Sequence, residues 1–295
     1  MTAVPRLGDM PTQDLVDAVL RRDLASFIRK SARSLSPGTP FQDNWHIKAI
    51  AWHLDEVRKG RIRRLIINMP PRSLKSISAS VAFPAFVLGH DPTRRVICVS
   101  YGTELSTKLM NDFRAVVDSP WYRSAFPATR FGGKNSESEV ETTCRGLRLA
   151  TSIGGTLTGR GGHLIVIDDP LKPVDALSQP KRESANQWFA NTLLSRLDDK
   201  RTGAIVIVMQ RVHMDDLTGF VTDGSDEWTV LTLPAIADED ESIRIGDERW
   251  HHRRVGDLLH PEREPLQVLE SMRQSLGSDL FSAQYQQAPV PEGGR

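Results

Sequence analysis

Apolar positions fall into two textures along the chain. Over 11–34 and 44–59 they recur at helical spacing, with Leu15, Val16, Val19 and Leu20 on the first stretch and Ile47, Ile50, Ala51 and Leu54 on the second. This spacing predicts helices on either side of the breaker segment Ser34 to Pro40. From residue 64 the texture changes to short continuous runs: Leu65-Ile66-Ile67-Asn68-Met69, Arg95 to Ser100, Leu147 to Thr151, His163 to Asp168 and Ala204 to Val208. Helix-permissive stretches, from Lys75, over 104–117 and over 181–197, separate them. Continuous Val/Ile runs alternating with helices predict parallel strands buried on both faces, hence an α/β fold with a mainly parallel central sheet flanked by helices.

Beyond Pro234 the pattern shifts again. Asp238-Glu239-Asp240-Glu241 reads as a solvated acidic loop, helices are expected near 264–275 and 277–287, and Pro289 to Arg295 reads as a linker towards a further domain. The expected organisation is an N-terminal helical segment (1–60), a core (61–234), a helical, lid-like subdomain (235–288) and the linker (289–295).

Composition narrows the class. With 38 Lys+Arg against 37 Asp+Glu in 295 residues the net charge is +1, so no global field attracts a polyanion and any nucleic-acid contact must be local or come from an assembly. Two cysteines, one inside the apolar run at Cys98, argue against a disulfide framework and for a reducing compartment. No apolar stretch approaches the ~18 residues of a membrane helix, and Met1 to Arg6 carry no apolar signal core, so a soluble cytosolic protein without a membrane partner is expected.

The candidate chemistry sits at the strand-to-helix junctions. Met69-Pro70-Pro71-Arg72-Ser73-Leu74-Lys75-Ser76 follows one strand and opens a helix, the context of a phosphate loop, although Met69 and Leu74 fill both glycine positions of that pattern. There Arg72, Ser73, Leu74, Lys75 and Ser76 would hold a nucleotide. Free N–H groups at the helix start attract phosphate, Lys75 and Arg72 supply cations, and the Ser76 hydroxyl can ligate Mg²⁺. Taken alone, Lys75-Ser76 equally fits an ordinary helix cap.

A partner motif changes that balance. Leu164-Ile165-Val166-Ile167 ends in Asp168-Asp169-Pro170, and ligands of open α/β sheets bind at the carboxyl ends of strands. Asp168 would hold Mg²⁺, and Asp169 would orient and polarise an attacking water. The plainer reading of Asp-Asp-Pro is a capped turn.

These residues resemble a known family, the ATPase domain of the large terminase subunit of tailed bacteriophages. The resemblance runs from about Trp45 to Gln287 and rests on an ordered set. It comprises Arg64 to Arg72 leading into Lys75-Ser76; Ser100-Tyr101; Ser119-Pro120-Trp121-Tyr122 with Phe126-Pro127; Gly159-Arg160-Gly161 ahead of Asp168-Asp169-Pro170; Met209-Gln210-Arg211 with Asp215-Asp216-Leu217-Thr218-Gly219; and Gln284-Tyr285-Gln286. It implies a RecA-like P-loop NTPase using ATP and Mg²⁺. Such a motor pumps double-stranded DNA into a procapsid through a portal protein, in the host cytoplasm and outside the mature virion. Its implied partners are the small terminase subunit, a homo-oligomeric, pentameric ring of its own kind, monomeric in solution, and a C-terminal nuclease domain. Leu74 departs from the family's usual Gly before the loop Lys, and Asp169 stands where many members carry Glu.

The resemblance also implies roles outside the loop. Arg160 looks like the arginine finger that acts on a neighbour's γ-phosphate, the alternative being a solvated loop arginine. Gln210 matches a coupling position that senses the γ-phosphate, the alternative being a strand-end cap. Phe41-Gln42 and Trp45-His46 lie where related ATPases bind the base, though Trp45 also fits a core anchor. Arg58, Lys59, Arg61, Arg63 and Arg64 are a candidate DNA patch or a set of solvent caps. A helicase-like motor and a non-hydrolysing nucleotide-binding module remain the alternative functions.

Overall fold

A computed structural model describes residues 11–157, 159–225 and 227–291. Among these, β1 (Arg64–Asn68), β2 (Arg95–Ser100), β3 (Phe131–Ser136), β4 (Glu139–Thr142), β5 (Leu147–Ser152), β6 (Leu164–Asp168), β7 (Ala204–Met209) and β8 (Thr229–Thr232) form one sheet. Its order is β3-β4-β5-β2-β6-β7-β1-β8. Every pairing from β5 to β8 is parallel, whereas β3–β4 and β4–β5 are antiparallel.

Strand side chains alternate between faces, and here both faces are covered, so alternate residues enter different cores. Leu65, Ile67, Val96, Val166, Val206 and Val208 join a cluster with the N-terminal helices, while Ile66, Ile97, Ile165, Ile167, Ile205 and Ile207 join one on the opposite face with Phe189 and Leu193. This is why β1, β6 and β7 read as unbroken apolar runs.

The helices pack around that sheet. α1 (Thr12–Arg22) and α2 (Leu24–Leu35) replace the single helix expected over 11–34, because the Asp23 carboxylate accepts from Ser26 N and starts a new helix. α3 (Trp45–Arg58) and α5 (Thr103–Val117) follow the sequence pattern. α4 (Phe83–His90) is preceded by a wide turn over Ile77–Ala82, and α6 is Pro120–Ala125. The Ser119-Pro120-Trp121-Tyr122 and Phe126 segment is structural: Phe27 packs edge-on against Phe86, Trp121, Tyr122 and Phe126 at centroid distances of 5.3–6.1 Å. A Cβ at Gly89 would lie 2.6 Å from the Phe126 ring, so this packing requires glycine there.

α7 (Gln179–Trp188) continues irregularly to Arg196, and α8 (Leu217–Thr222) starts at the Asp216 cap. The stretch after Pro234 is not wholly helical. β9 (Glu241–Gly246) and β10 (Arg249–Arg253) form a hairpin before α9 (Leu266–Leu276) and α10 (Ser278–Gln284). Glu241, expected in a solvated loop, instead pairs with the buried Arg253 at 2.8 Å. The hairpin folds back on α3, where His251 stacks on Trp45 at 4.0 Å and Arg244 covers Trp52. Residues 292–295 of the expected linker lie outside the described residues, as do 1–10. No helix among the described residues is long and apolar enough to cross a membrane.

Candidate functional site

Parallel register puts the carboxyl ends of three adjacent strands level with one another. Asn68 of β1 faces Met209 of β7, and Val208 faces Asp168 of β6. The loops leaving these ends carry 69–76, Gln210 and Asp169, so residues far apart in sequence meet at one edge.

The 69–76 loop supplies its turns without glycine. Arg72 and Leu74 have φ of 63° and 64°, the left-handed region that costs an L-residue about 1–2 kcal/mol. Leu74 thus holds a conformation that glycine would adopt freely, at the position where the resembled family carries glycine. Local contacts offset the strain. The Leu74 side chain packs on the main core, its carbonyl accepts from Ser78 N at 2.9 Å and Ser78 Oγ at 2.8 Å, and Ser73 Oγ donates to Pro70 O at 2.6 Å.

The loop reaches the two acids directly. Ser76 Oγ donates to Asp168 Oδ1 at 2.9 Å, and Ser80 Oγ to Asp168 Oδ2 at 2.8 Å. Burial, followed by the neighbouring Asp169 charge, pushes the Asp168 carboxyl up to about 7, against the opposing pull of Ser80, Lys75 and Ser76. Lys75 Nζ lies 3.4 Å from Asp169 Oδ2, and Gln210 N donates to Asp169 Oδ1 at 3.2 Å. Asp169 itself sits at φ 45°, held by its N–H to Val208 O and by Tyr101 N to its carbonyl.

Ser80 and Arg148 were not expected here. Pro84 has no N–H for the carbonyl four residues earlier, and that carbonyl, on Ser80, takes Arg148 Nη2 at 2.8 Å instead. The wide turn 77–82 accommodates this exchange and aims Ser80 at Asp168. Pro84 inside a helix is the signal in the sequence.

A cavity of about 570 Å³ opens over the loop, of a size that suits a nucleotide. Phe41 and Gln42 line it, as do His46 and, from beyond the hairpin, His260 and Arg263. Trp45 does not; it serves as the anchor for β10. His46 is depressed to about 3 by burial and then by His260, so it is neutral at pH 7. The donor set fits a nucleotide with Mg²⁺. A hydroxyl and a carboxylate stand side by side at Ser76 and Asp168, hard oxygen donors that leave the remaining coordination to phosphate and water. Gln210 is buried, lines the cavity, and its Oε1 has no hydrogen-bond partner. A buried amide oxygen without a partner, on a residue that lines the cavity, calls for a hydrogen-bond donor.

The residue after Gln210 ties this edge to the C-terminal helices. Arg211 N donates to Gln287 Oε1 at 2.9 Å, and its guanidinium meets the fully buried Asp216 carboxylate at 2.9–3.0 Å. Gln286 clasps Ile236 through both its backbone groups.

Two expected features stand apart from the cavity. Arg160 does not line the cavity, and its side chain is part-exposed. It makes a two-pronged contact with Glu139, 2.9 Å on each arm, on the β4 edge. Three of the five basic residues are ion-paired, Arg58 and Lys59 with Asp55 and Arg61 with Glu56. Arg63 and Arg64 donate to backbone carbonyls of the 201–203 turn.

No sequence-family model matches the chain, and no curated protein matches it in sequence. Solved structures match in fold. The large terminase ATPase domain of Thermus phage P74-26 superposes with a TM-score of 0.51 at 13% identity, and an arginine variant of it with 0.57 at 11%, each alignment covering 88% of this chain and 97% of that one. The HK97 bacteriophage large terminase gives 0.50 at 13% identity over 95% of this chain but only 56% of that longer one. The chain therefore has the fold of large-terminase ATPase domains.

Proposed function

We propose that this chain is the ATP-hydrolysing motor of a phage terminase large subunit, driving double-stranded DNA into a procapsid through the portal. One observation carries the reading. Lys75, Ser76, Asp169 and Gln210 converge from three adjacent strand ends on one nucleotide-sized cavity, with the buried Asp168 held directly behind Ser76, within the fold of terminase ATPase domains.

ATP occupies the cavity with its phosphates on 72–76 and its base towards Phe41, Gln42 and His260. Ser76 and Asp168 would hold Mg²⁺, which would neutralise charge on the phosphates. Lys75 now rests against Asp169, and entry of a phosphate offers Lys75 a stronger anionic partner. Asp169 is then released to accept a proton from the attacking water. Gln210 donates to the terminal phosphate or to that water, and its loss of contact after cleavage passes through Arg211 to Gln287 and α10.

Arg160 completes the site of a neighbour. Five strand spacings separate β4 from β1, roughly 24 Å, so Arg160 is out of reach of its own phosphate loop. A head-to-tail ring brings one subunit's β4 edge to the next subunit's cavity. Arg72 adds a second cation within each site. DNA is gripped by surfaces repeated around that ring, the portal and small subunit are its partners, and a nuclease domain is joined to it in the full-length protein.

The test is steady-state ATP turnover by the chain and by Lys75→Ala, alone and with portal-bearing procapsids and linear double-stranded DNA. Turnover that needs Lys75 and rises with the procapsid supports the motor. Equal background rates refute an enzyme, and unaided strand separation points to a helicase instead.

A further inference from the structure

Arg160 is held on its own subunit by a carboxylate that carries two cations. Glu139 is 3% exposed; its Oε1 and Oε2 take the two Arg160 arms, and Oε2 also lies 2.6 Å from Lys134 Nζ. A simple structural ion pair needs one cation. Removing the only partner of a buried carboxylate strands its charge at high cost, whereas a second cation already in place removes most of that penalty. Burial makes the Glu139 carboxyl a weaker acid, but the Lys134 and Arg160 contacts more than reverse this and hold it below the usual carboxylate range, so Glu139 is charged at neutral pH.

The Arg160 surroundings allow departure. Its side chain is 39% exposed, and the preceding Gly159, at φ 71°, has open space around it. On the other side the chain is anchored: a Cβ on Gly161 would lie 2.1 Å from Asp198 Oδ1, and Gly162 N donates to Arg196 O. The Arg160 N–H is itself tied to the carbonyl of the core residue Leu157, so freedom to move lies in the Arg160 side chain.

We propose that Glu139 and Lys134 are positioning residues for Arg160: Glu139 parks the guanidinium on its own subunit, and Lys134 remains as the counter-ion when Arg160 swings to a neighbour's nucleotide. This rests on the reading of Arg160 as a trans-acting finger. The parked state competes with the reaching state, so the apparent affinity of subunits for productive assembly is scaled by the fraction of Arg160 set free.

The two residues have opposite effects on that fraction. Glu139→Gln weakens parking and lowers the protein concentration giving half-maximal ATP turnover, by about fivefold. Lys134→Met leaves Glu139 bare whenever Arg160 departs and raises that concentration by a similar factor. Glu139→Asp, one methylene shorter, serves as the second variant if Glu139→Gln fails to fold, and shifts the same way as Gln. Thermal melts control for loss of structure.

Opposite shifts support the proposal. Shifts in the same direction, as a merely structural bridge gives, or no shift in either variant, overturn it while leaving the finger reading intact. Failure of the finger reading is separately visible: Arg160→Ala then turns over like wild type at every concentration, or wild-type turnover per subunit does not rise with concentration, and the proposal falls with it.

Discussion

The two ends of the sheet solve different problems. Around β6, β7 and β1 the strands are parallel and buried on both faces, and the chemistry lies in short loops fixed by that rigid support. Around β3, β4 and β5 the strands are antiparallel and β3 is largely exposed, and the one residue of mechanistic interest, Arg160, is held by an ion pair. Rigid support suits groups that must meet a phosphate within tenths of an ångström. An exchangeable ion pair suits a group that must leave its subunit. On the proposed function, two cations, Lys75 and Arg72, are built into each site and one, Arg160, is delivered from a neighbour.

The largest effect that would break this contrast lies at the rigid end. Lys75→Ala and Asp169→Asn are each expected to lower ATP turnover by about a thousandfold or more. Retention of a tenth of wild-type activity by Asp169→Asn, measured by phosphate release, would remove Asp169 from its role. At the other end Arg160→Ala is expected to cost about a hundredfold in assembled protein and almost nothing in dilute monomer. An equal loss in both would place Arg160 in its own subunit's site.

The buried acid gives a pH-dependent test of stability. Burial pushes the Asp168 pKa up to about 7, so between the ordinary carboxylate value and pH 7 the folded protein holds a proton there that the unfolded chain has lost. Its contribution is fully present below the ordinary carboxylate value and disappears as pH rises through about 7. Asp168→Asn is therefore expected to be more stable than wild type at pH 8, and to lose that advantage as pH falls to the ordinary carboxylate value. Denaturant titrations at the two values check the sign. A smaller effect concerns the left-handed Leu74. Both Leu74→Ala and Leu74→Gly lose its packing, but only glycine relieves the backbone, so the glycine variant should be the more stable by about 1 kcal/mol.

How much of this was legible in the sequence follows the same division. Doubly buried strands announce themselves as apolar runs, which is why β1, β2, β6 and β7 could be read within a residue or so, and why Lys75, Ser76, Asp168, Asp169 and Gln210 could be expected together. Phe131 to Ser136 and Glu139 to Thr142 carry glycines and charges on a half-solvated edge, and no periodicity marks them as strands. Glu139 becomes visible only once β4 is known to pair antiparallel with β5. The break at Asp23 and the hairpin over 241–253 were hidden by side-chain capping and by alternation of acidic and basic residues. The pairing of Arg58, Lys59 and Arg61 with Asp55 and Glu56, one helical turn away, was not read from the run of basic residues over 58–64.

The most direct test of a site shared between subunits is complementation. Arg160→Ala supplies an intact cavity without the delivered cation, and Asp169→Asn supplies the cation without an intact cavity. Each alone should be nearly inactive, and mixtures should recover ATP turnover with a maximum at intermediate ratios. Linear dilution of two inactive proteins, with no recovery at any ratio, would contradict the division of the site between neighbours.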